Sequence, residues 1–105
     1  MAEEKVRMLI LGITGMLGNT LFRYFNLLDN YRVLGTLRNK LAFKKFSISH
    51  RDSIYYLDNP NDEDSLAKLI ESHKPDVVIN CIGIIKQILS ETDPVNTINI
   101  NRAKY

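Results

Sequence analysis

Residues 6–18 read VRMLILGITGMLG, an apolar run that leads into three glycines, Gly12, Gly15 and Gly18. An apolar run without polar alternation is typical of a short strand that is buried on both faces. After the first glycines, apolar residues recur at helical spacing, namely Leu17, Leu21, Phe25 and Leu28. The stretch therefore predicts a strand, a tight turn and an amphipathic helix, which is how an alternating α/β fold begins.

The remaining sequence continues the alternation. We predict strands at YRVLGTLR (31–38), SIYYLD (53–58) and DVVINCIG (76–83), and helices at NPNDEDSLAKLIESHKP (59–75), capped near Asp62, and at TDPVNTININRAKY (92–105). Such alternation implies a Rossmann-like, doubly wound parallel sheet with right-handed crossovers and the strand order 3-2-1-4. We expect the chain to be truncated before the fifth strand, which would leave the fourth strand at an exposed edge.

The composition indicates a single domain over residues 1–105. A chain of 105 residues, 45% of them apolar, can bury one core. The net charge of +2 gives no reason to expect nucleic acid or a membrane as a partner, and no apolar run is long enough for a signal sequence or a membrane span. Cys81 is the only cysteine, which excludes an intramolecular disulfide and a multi-cysteine zinc site and favours a reducing, cytoplasmic location.

The three glycines have the placement of a phosphate-binding turn. In a nucleotide-binding βαβ unit, glycines allow a sharp turn, let backbone amides approach a diphosphate, and pack the helix closely on the strand. The spacing Gly-x-x-Gly-x-x-Gly is one residue longer at its first gap than the usual dinucleotide fingerprint, and the Gly-Lys-Ser/Thr of a P-loop is missing. We predict dinucleotide binding, with a purely structural strand-to-helix turn as the alternative.

The end of the second predicted strand, GTLRNK (35–40), indicates which dinucleotide binds. An acidic residue there would hydrogen-bond the ribose of NAD, whereas an arginine suits the 2′-phosphate of NADP. The segment contains Arg38 and no acid. We therefore favour NADP over NAD, with Arg38 as the main contact to the phosphate. Three lysines, Lys40, Lys44 and Lys45, could supply a second cation or could simply form a solvated basic loop.

Residues 38–51 contain only basic charged residues until Asp52 follows, and Phe43 and Phe46 lie among them. Basic and aromatic residues together would also suit a nucleic-acid surface, on which rings stack against bases. The acids that follow and the nearly neutral total charge disfavour this alternative.

Five motifs taken in order, GITGMLG, VLGTLR, YYLD, PDVVINCIGIIKQ and DPVNTININ, resemble the N-terminal half of the extended short-chain dehydrogenases/reductases. The resemblance is greatest to the nucleotide-sugar branch that dTDP-4-dehydrorhamnose reductase typifies. It implies the cofactor-binding part of an NADP-dependent reductase that acts on a nucleotide-sugar substrate in sugar or cell-surface polysaccharide biosynthesis, and it is compatible with a homodimer. A noncatalytic NADP-binding or redox-sensing module of the same superfamily is the alternative.

The resemblance also implies roles for individual residues. It places six residues along the cofactor diphosphate: Gly12, Thr14, Gly15, Met16, Leu17 and Gly18. Asp58 would lie near the adenine amine, although it could equally cap the turn that follows. Four residues would pass the cofactor ribose: Asn80, Cys81, Ile82 and Gly83. Asn80 could instead bond the backbone, and Cys81 could be a small buried hydrophobe.

Members of this family carry a Tyr-x-x-x-Lys pair in a later helix, in which the tyrosine is the general acid and base. This chain has Lys104 and Tyr105 side by side, an order and spacing that cannot substitute. Lys86 would approach the nicotinamide, and Asn99 or Asn101 matches a helix asparagine of the family. We predict no catalytic residue and no metal ligand here, and we expect an N-terminal fragment that binds the cofactor without turnover.

Overall fold

A computed structural model describes residues 4–59, 62–82 and 96–99, which form a five-stranded parallel sheet with helices on both faces. The elements in chain order are β1 (Val6–Leu11), α1 (Met16–Asn26), β2 (Tyr31–Leu37), two 3-10 helices (Lys40–Lys45 and Ile48–Ser53), β3 (Ile54–Tyr56), α2 (Glu63–His73), β4 (Val77–Asn80) and β5 (Asn96–Asn99). The order across the sheet is β3-β2-β1-β4-β5. The predicted Rossmann-like fold and the order of its first four strands are confirmed.

The central strand β1 is buried on both faces, as its unbroken apolar run predicts. Met8 and Ile10 pack on the face that α1 covers, whereas Leu9 and Leu11 pack on the face that α2 covers. This division follows from the two-residue period of a strand, which sends successive side chains to opposite faces. Each fully buried aliphatic side chain contributes about 1.5–3 kcal/mol through the hydrophobic effect. The two helices complete the cores with their apolar stripes, which are Leu17, Leu21, Phe22 and Phe25 in α1 and Leu66, Leu69 and Ile70 in α2.

Helix α2 begins and ends with the chemistry that its sequence predicts. The Asp62 carboxylate accepts hydrogen bonds from the backbone N–H groups of Asp64 and Ser65, at 3.1 and 3.3 Å, and caps the first turn. Lys74 ends the helix in the left-handed conformation, with φ at +47°, and its N–H donates to the Ile70 carbonyl at 2.7 Å. These two caps fix the length of the crossover from β3 to β4.

The sheet reverses its winding between β1 and β4. From β1 the chain crosses through α1 to β2, and from β3 it crosses back through α2 to β4, which pairs with the other edge of β1. The carboxyl ends of β1 and β4 therefore lie side by side with Leu11 opposite Asn80. In open parallel sheets, ligands bind in the crevice at such a switch point.

The prediction of a helix over residues 92–105 is wrong for residues 96–99, which form β5. This strand pairs in parallel with β4 along its whole length, from Val77 opposite Asn96 to Asn80 opposite Asn99. The expected truncation before the fifth strand is corrected by the same finding. The physical reason is that the outer edge of β4 offers backbone donors and acceptors, which a strand with Thr97 and Ile98 satisfies. The helical asparagine expected at Asn99 thus lies in a strand, and Asn101 lies outside the described residues.

The basic segment between β2 and β3 forms the two 3-10 helices and packs against α1. Phe46 is buried, and its ring meets Phe22 edge-on at 5.6 Å between centroids. Phe43 is partly buried against the same core. These rings are engaged inside the fold and do not form a stacking surface for bases. Of the helices that the structure describes, none combines the length and the apolar character that a membrane span requires.

Candidate functional site

The turn after β1 is built around a residue that only glycine suits. Gly12 has φ at +84°, a conformation that side-chain-bearing residues rarely adopt. A Cβ atom at this position would also lie 2.9 Å from Cγ1 of Ile82. The Gly12 N–H donates to the Thr36 hydroxyl at 3.1 Å, and the next N–H, of Ile13, donates to the Thr36 carbonyl at 2.9 Å. The end of β2 therefore holds the turn in place.

Helix α1 begins at this turn with free backbone donors. Gly15 is the N-cap residue, in an extended conformation, and the first turn of α1, all of which the structure describes, carries neither a side-chain cap nor an acidic residue. The first amides of any α-helix have no acceptor within the helix, and the helix dipole adds partial positive charge. An anion such as a diphosphate fits such a terminus.

Gly18 brings the helix onto the turn. It is buried, and a Cβ atom there would overlap the Gly12 carbonyl oxygen and lie 2.9 Å from the carbonyl carbon. Only a glycine permits this approach of two backbone segments. The structure thus joins Gly12, Gly15 and Gly18 in one compact unit, although they are separated in sequence by two residues each.

The other residues expected along the diphosphate divide into two groups. Thr14 and Met16 are exposed at the turn and at the start of α1, with Met16 81% exposed. Leu17 is half-buried and packs against the core on the α1 face. The backbone of Leu17 remains in the first turn of the helix, so its amide still faces the site while its side chain contributes to packing.

The end of β4 lies directly against the glycine turn. The Cys81 N–H donates to the Leu11 carbonyl at 3.0 Å, which continues the pairing of β4 with β1. Asn80 is buried, and its side-chain oxygen accepts from the Ile82 N–H at 3.0 Å. This bond curls the chain so that Ile82 contacts Gly12. Asn80, Cys81 and Ile82 therefore lie beside the turn, while Gly83 and Lys86 lie outside the described residues.

Asn80 and Cys81 also have the structural roles that the sequence offers as alternatives to cofactor binding. Asn80 does bond the backbone, through the Ile82 N–H. Cys81 forms no disulfide and is 3% exposed, within the core on the α1 face. A buried thiol with apolar neighbours behaves as a small hydrophobe. Across residues 4–59, 62–82 and 96–99, no cluster of three or more metal-ligating side chains occurs.

The end of β2 presents positive charge to solvent. Arg38 is exposed one residue beyond the strand and, within the described part of the chain, forms no ion pair. Lys40 has its ammonium nitrogen 4.9 Å from the centroid of the Tyr56 ring, a cation–π contact. Lys44 and Lys45 are exposed in the same 3-10 helix. The predicted cations are thus available at the surface, and Lys40 is the one held by an aromatic ring.

Asp58 is exposed just after β3, two residues beyond Tyr56. Partial burial raises the pKa of Tyr56 above its ordinary value, and hydrogen bonding to Asp58 and its negative charge raise that pKa further. The tyrosine therefore stays protonated at neutral pH.

Sequence reasoning missed the contributions of Thr36 and Tyr56. Thr36 is 1% exposed and anchors the glycine turn through both its hydroxyl and its carbonyl. The available signal was a polar residue inside an otherwise apolar strand, which must find a hydrogen-bond partner when buried. Tyr56 gave no such signal, because its contact with Lys40 depends on the pairing of β2 with β3.

Comparison with known proteins identifies the family. The sequence profile of the NAD dependent epimerase/dehydratase family matches residues 8–104. The chain belongs to this family. The resemblance to the short-chain dehydrogenases/reductases is thereby confirmed at this level. A comparison with curated proteins finds no significant match.

Several solved structures share the fold of the chain. WbmG of Bordetella bronchiseptica, solved with NAD and also with NAD and UDP, superposes with a TM-score of 0.66 at 15% identity and covers 91% of this chain. WbmH of the same organism, solved with NAD+, gives 0.53 at 18% identity over 80% of the chain. A putative NADPH:quinone reductase from Mesorhizobium loti gives 0.55 at 10% identity over 85%. The chain spans 37%, 28% and 25% of the lengths of these three proteins.

Proposed function

We propose that this chain binds NADP and forms the cofactor-binding part of a nucleotide-sugar reductase similar to dTDP-4-dehydrorhamnose reductase, active in sugar or cell-surface polysaccharide biosynthesis. The observation that carries the proposal is the glycine turn packed beneath the uncapped start of α1 at the β1–β4 switch point. The family assignment and the crystallisation of WbmG with NAD and UDP support it. A cytoplasmic location and a homodimer stay predictions of the sequence.

The residues around the turn fit the diphosphate of a dinucleotide. Gly12 allows the chain to turn sharply at a positive φ, and the first turn of α1 has neither a side-chain cap nor an acidic residue that would compete with an anion. We assign the diphosphate contacts to this turn, including Thr14 and Met16, and the ribose contacts to the segment that starts at Asn80. When bound, the nicotinamide supplies or accepts a hydride; the chain described here binds and orients the dinucleotide.

The choice of NADP rests on the charge at the end of β2. Arg38 is exposed and has no carboxylate partner in the described residues, so its guanidinium is available for a bidentate contact to the 2′-phosphate. Residues 36–39, TLRN, contain no acid that would repel this phosphate. The Bordetella neighbours were solved with NAD, and the two cofactors must therefore be compared directly.

Calorimetric titration of the protein with NADP and with NAD tests the proposal. A charge-assisted hydrogen bond contributes about 1.5–3 kcal/mol, so Arg38→Ala is expected to weaken NADP binding roughly 10- to 100-fold and to leave NAD binding nearly unchanged. Arg32→Ala is the matched control, because Arg32 is an exposed arginine near the opposite end of the same strand. Equal affinity of the wild-type protein for both cofactors, or equal losses for both in Arg38→Ala, would contradict the NADP assignment.

A further inference from the structure

One aromatic side chain holds a basic residue at the ends of β2 and β3. Tyr56 is the last residue of β3 and lies opposite Leu37, the last residue of β2. The ammonium of Lys40 lies over the face of its ring, 4.9 Å from the centroid. Tyr56 is 43% exposed, so this contact forms at the surface beside Arg38.

The backbone that carries Lys40 is also fixed. Asn39 caps the first 3-10 helix, because its side-chain oxygen accepts from the Leu41 N–H at 2.9 Å and its carbonyl accepts from the Ala42 N–H at 2.9 Å. Ala42, two residues after Lys40, is buried in the core and anchors this turn. The position of Lys40 is therefore set at its backbone by the cap and at its ammonium by the ring.

Lys40 differs from the other two lysines of this 3-10 helix because its ammonium contacts an aromatic ring. Lys44 and Lys45 lie at its far end, where the Lys45 carbonyl accepts a hydrogen bond from Arg23 of α1. Long lysine side chains on a surface sample many rotamers and lose that freedom when they bind. A lysine already held against an aromatic face loses less, which favours it as a ligand contact.

We propose that Tyr56 is the positioning residue of the adenosine subsite: its ring holds Lys40 as the second cation for the 2′-phosphate. The inference rests on the proposed function, because it assumes that the adenosine end of NADP lies at the end of β2. It adds that the selectivity for the phosphate depends on the ring of Tyr56 as well as on Arg38.

The ring and the hydroxyl of Tyr56 can be separated by substitution. Tyr56→Phe keeps the ring and removes the hydroxyl, whereas Tyr56→Leu removes both. We expect Tyr56→Leu and Lys40→Ala each to lower the ratio of NADP to NAD affinity by roughly three- to tenfold, the scale of one charge-assisted hydrogen bond at an exposed site, and the double variant to lower it no further. We expect Tyr56→Phe to keep this ratio, because the ring that holds Lys40 remains.

Tyr24→Leu is the matched control, because Tyr24 is a comparably exposed tyrosine, 53% against 43%, on α1. Affinities for NADP and NAD are measured by calorimetry on each variant together with Arg38→Ala. The readout is a ratio of two affinities of one protein, and partial loss of folding lowers both affinities alike. A merely structural role of Tyr56 would therefore leave the ratio unchanged.

The outcomes distinguish a failure of the proposed function from a failure of this inference alone. A wild-type protein that binds neither cofactor, or binds both equally, overturns the NADP assignment and this inference together. A preference for NADP that requires Arg38 but survives Tyr56→Leu overturns the inference alone. A loss of the ratio in Tyr56→Phe as large as in Tyr56→Leu also overturns it, because the ring would then have no separate role. The expected pattern of the four variants supports it.

Discussion

Replacing Gly18 by alanine tests whether the close contact between α1 and the glycine turn is as tight as described. The added methyl group would overlap the Gly12 carbonyl oxygen and would lie 2.9 and 3.2 Å from Gly12 C and Ile13 Cα. All three atoms belong to the backbone, and they cannot rotate away as a side chain can. The turn itself is held by the two hydrogen bonds to Thr36. The start of α1 must therefore move outward by roughly 1 Å.

Two opposing effects determine the size of the loss. Alanine is favoured over glycine within a helix by about 1 kcal/mol. Overpacking of a tight contact costs about 1–3 kcal/mol, and the backbone partner places Gly18→Ala near the upper end of that range. The net expectation is a loss of about 2 kcal/mol in the free energy of unfolding. With a urea slope of roughly 2 kcal/mol per molar, the midpoint of unfolding falls by about 1 M.

Urea denaturation followed by far-ultraviolet circular dichroism measures this change, with Gly35→Ala as the control. A Cβ atom at Gly35 would meet Ile13 Cγ2 at 2.7 Å, Ile13 Cδ1 at 2.9 Å and Phe22 Cδ1 at 3.0 Å, which are side-chain atoms of two buried residues and require repacking of the core but no movement of the backbone. Removing a glycine from a strand also recovers about 0.5–1 kcal/mol, so Gly35→Ala should lose about 1 kcal/mol, less than Gly18→Ala. If Gly18→Ala is as stable as the wild-type protein, or more stable than Gly35→Ala, the reasoning is refuted.

Thr36→Val removes the buried hydroxyl that accepts from the Gly12 N–H, and it should lower the free energy of unfolding, measured by urea denaturation, by about 1–3 kcal/mol. Thr36→Ser keeps the hydroxyl and should retain most of the wild-type stability. Equal stabilities of the two variants would count against this role of Thr36. The hydrogen bond from the Ser65 hydroxyl, followed by that from the Ser65 N–H, lowers the pKa of the Asp62 carboxylate below its ordinary value of 3.8. Its contribution to stability is therefore complete above that value and is lost as the pH falls through the lowered pKa of the folded state. The wild-type protein should be more stable than Asp62→Asn at neutral pH, and the difference should shrink below pH 3.8, as measured by urea denaturation across that range; a constant difference would show that the charge is not involved.

The part of the site around the turn was predictable because its chemistry is local. Gly12, Gly15 and Gly18 lie within seven residues; Gly12 meets a requirement of its own backbone, and Gly18 meets one set by the turn that precedes its helix. Arg38 was predictable for a similar reason, since it follows directly after a strand whose apolar run is evident. The convergence of Asn80 on the turn required more: it came from a family resemblance, not from any local pattern.

The two errors of sequence reasoning concern pairing between distant segments. Residues 92–99 contain a capping residue and a proline in the positions of a helix start, and nothing local contradicts a helix. The strand Asn96–Asn99 exists because β4 offers a free edge, which is a property of another part of the chain. The role of Tyr56 was missed in the same way, since Lys40 precedes it by sixteen residues in sequence.

The order of the elements, the glycine turn and the positive charge after β2 were determined by the amino-acid sequence, because apolar period, glycine conformation and charge act over a few neighbouring residues. The anchoring of the turn by Thr36, the placement of Ile82 against Gly12 and the contact of Lys40 with the Tyr56 ring were decided only by the tertiary structure. The register of parallel strands sets all three contacts, and that register depends on the packing of helices against the whole sheet.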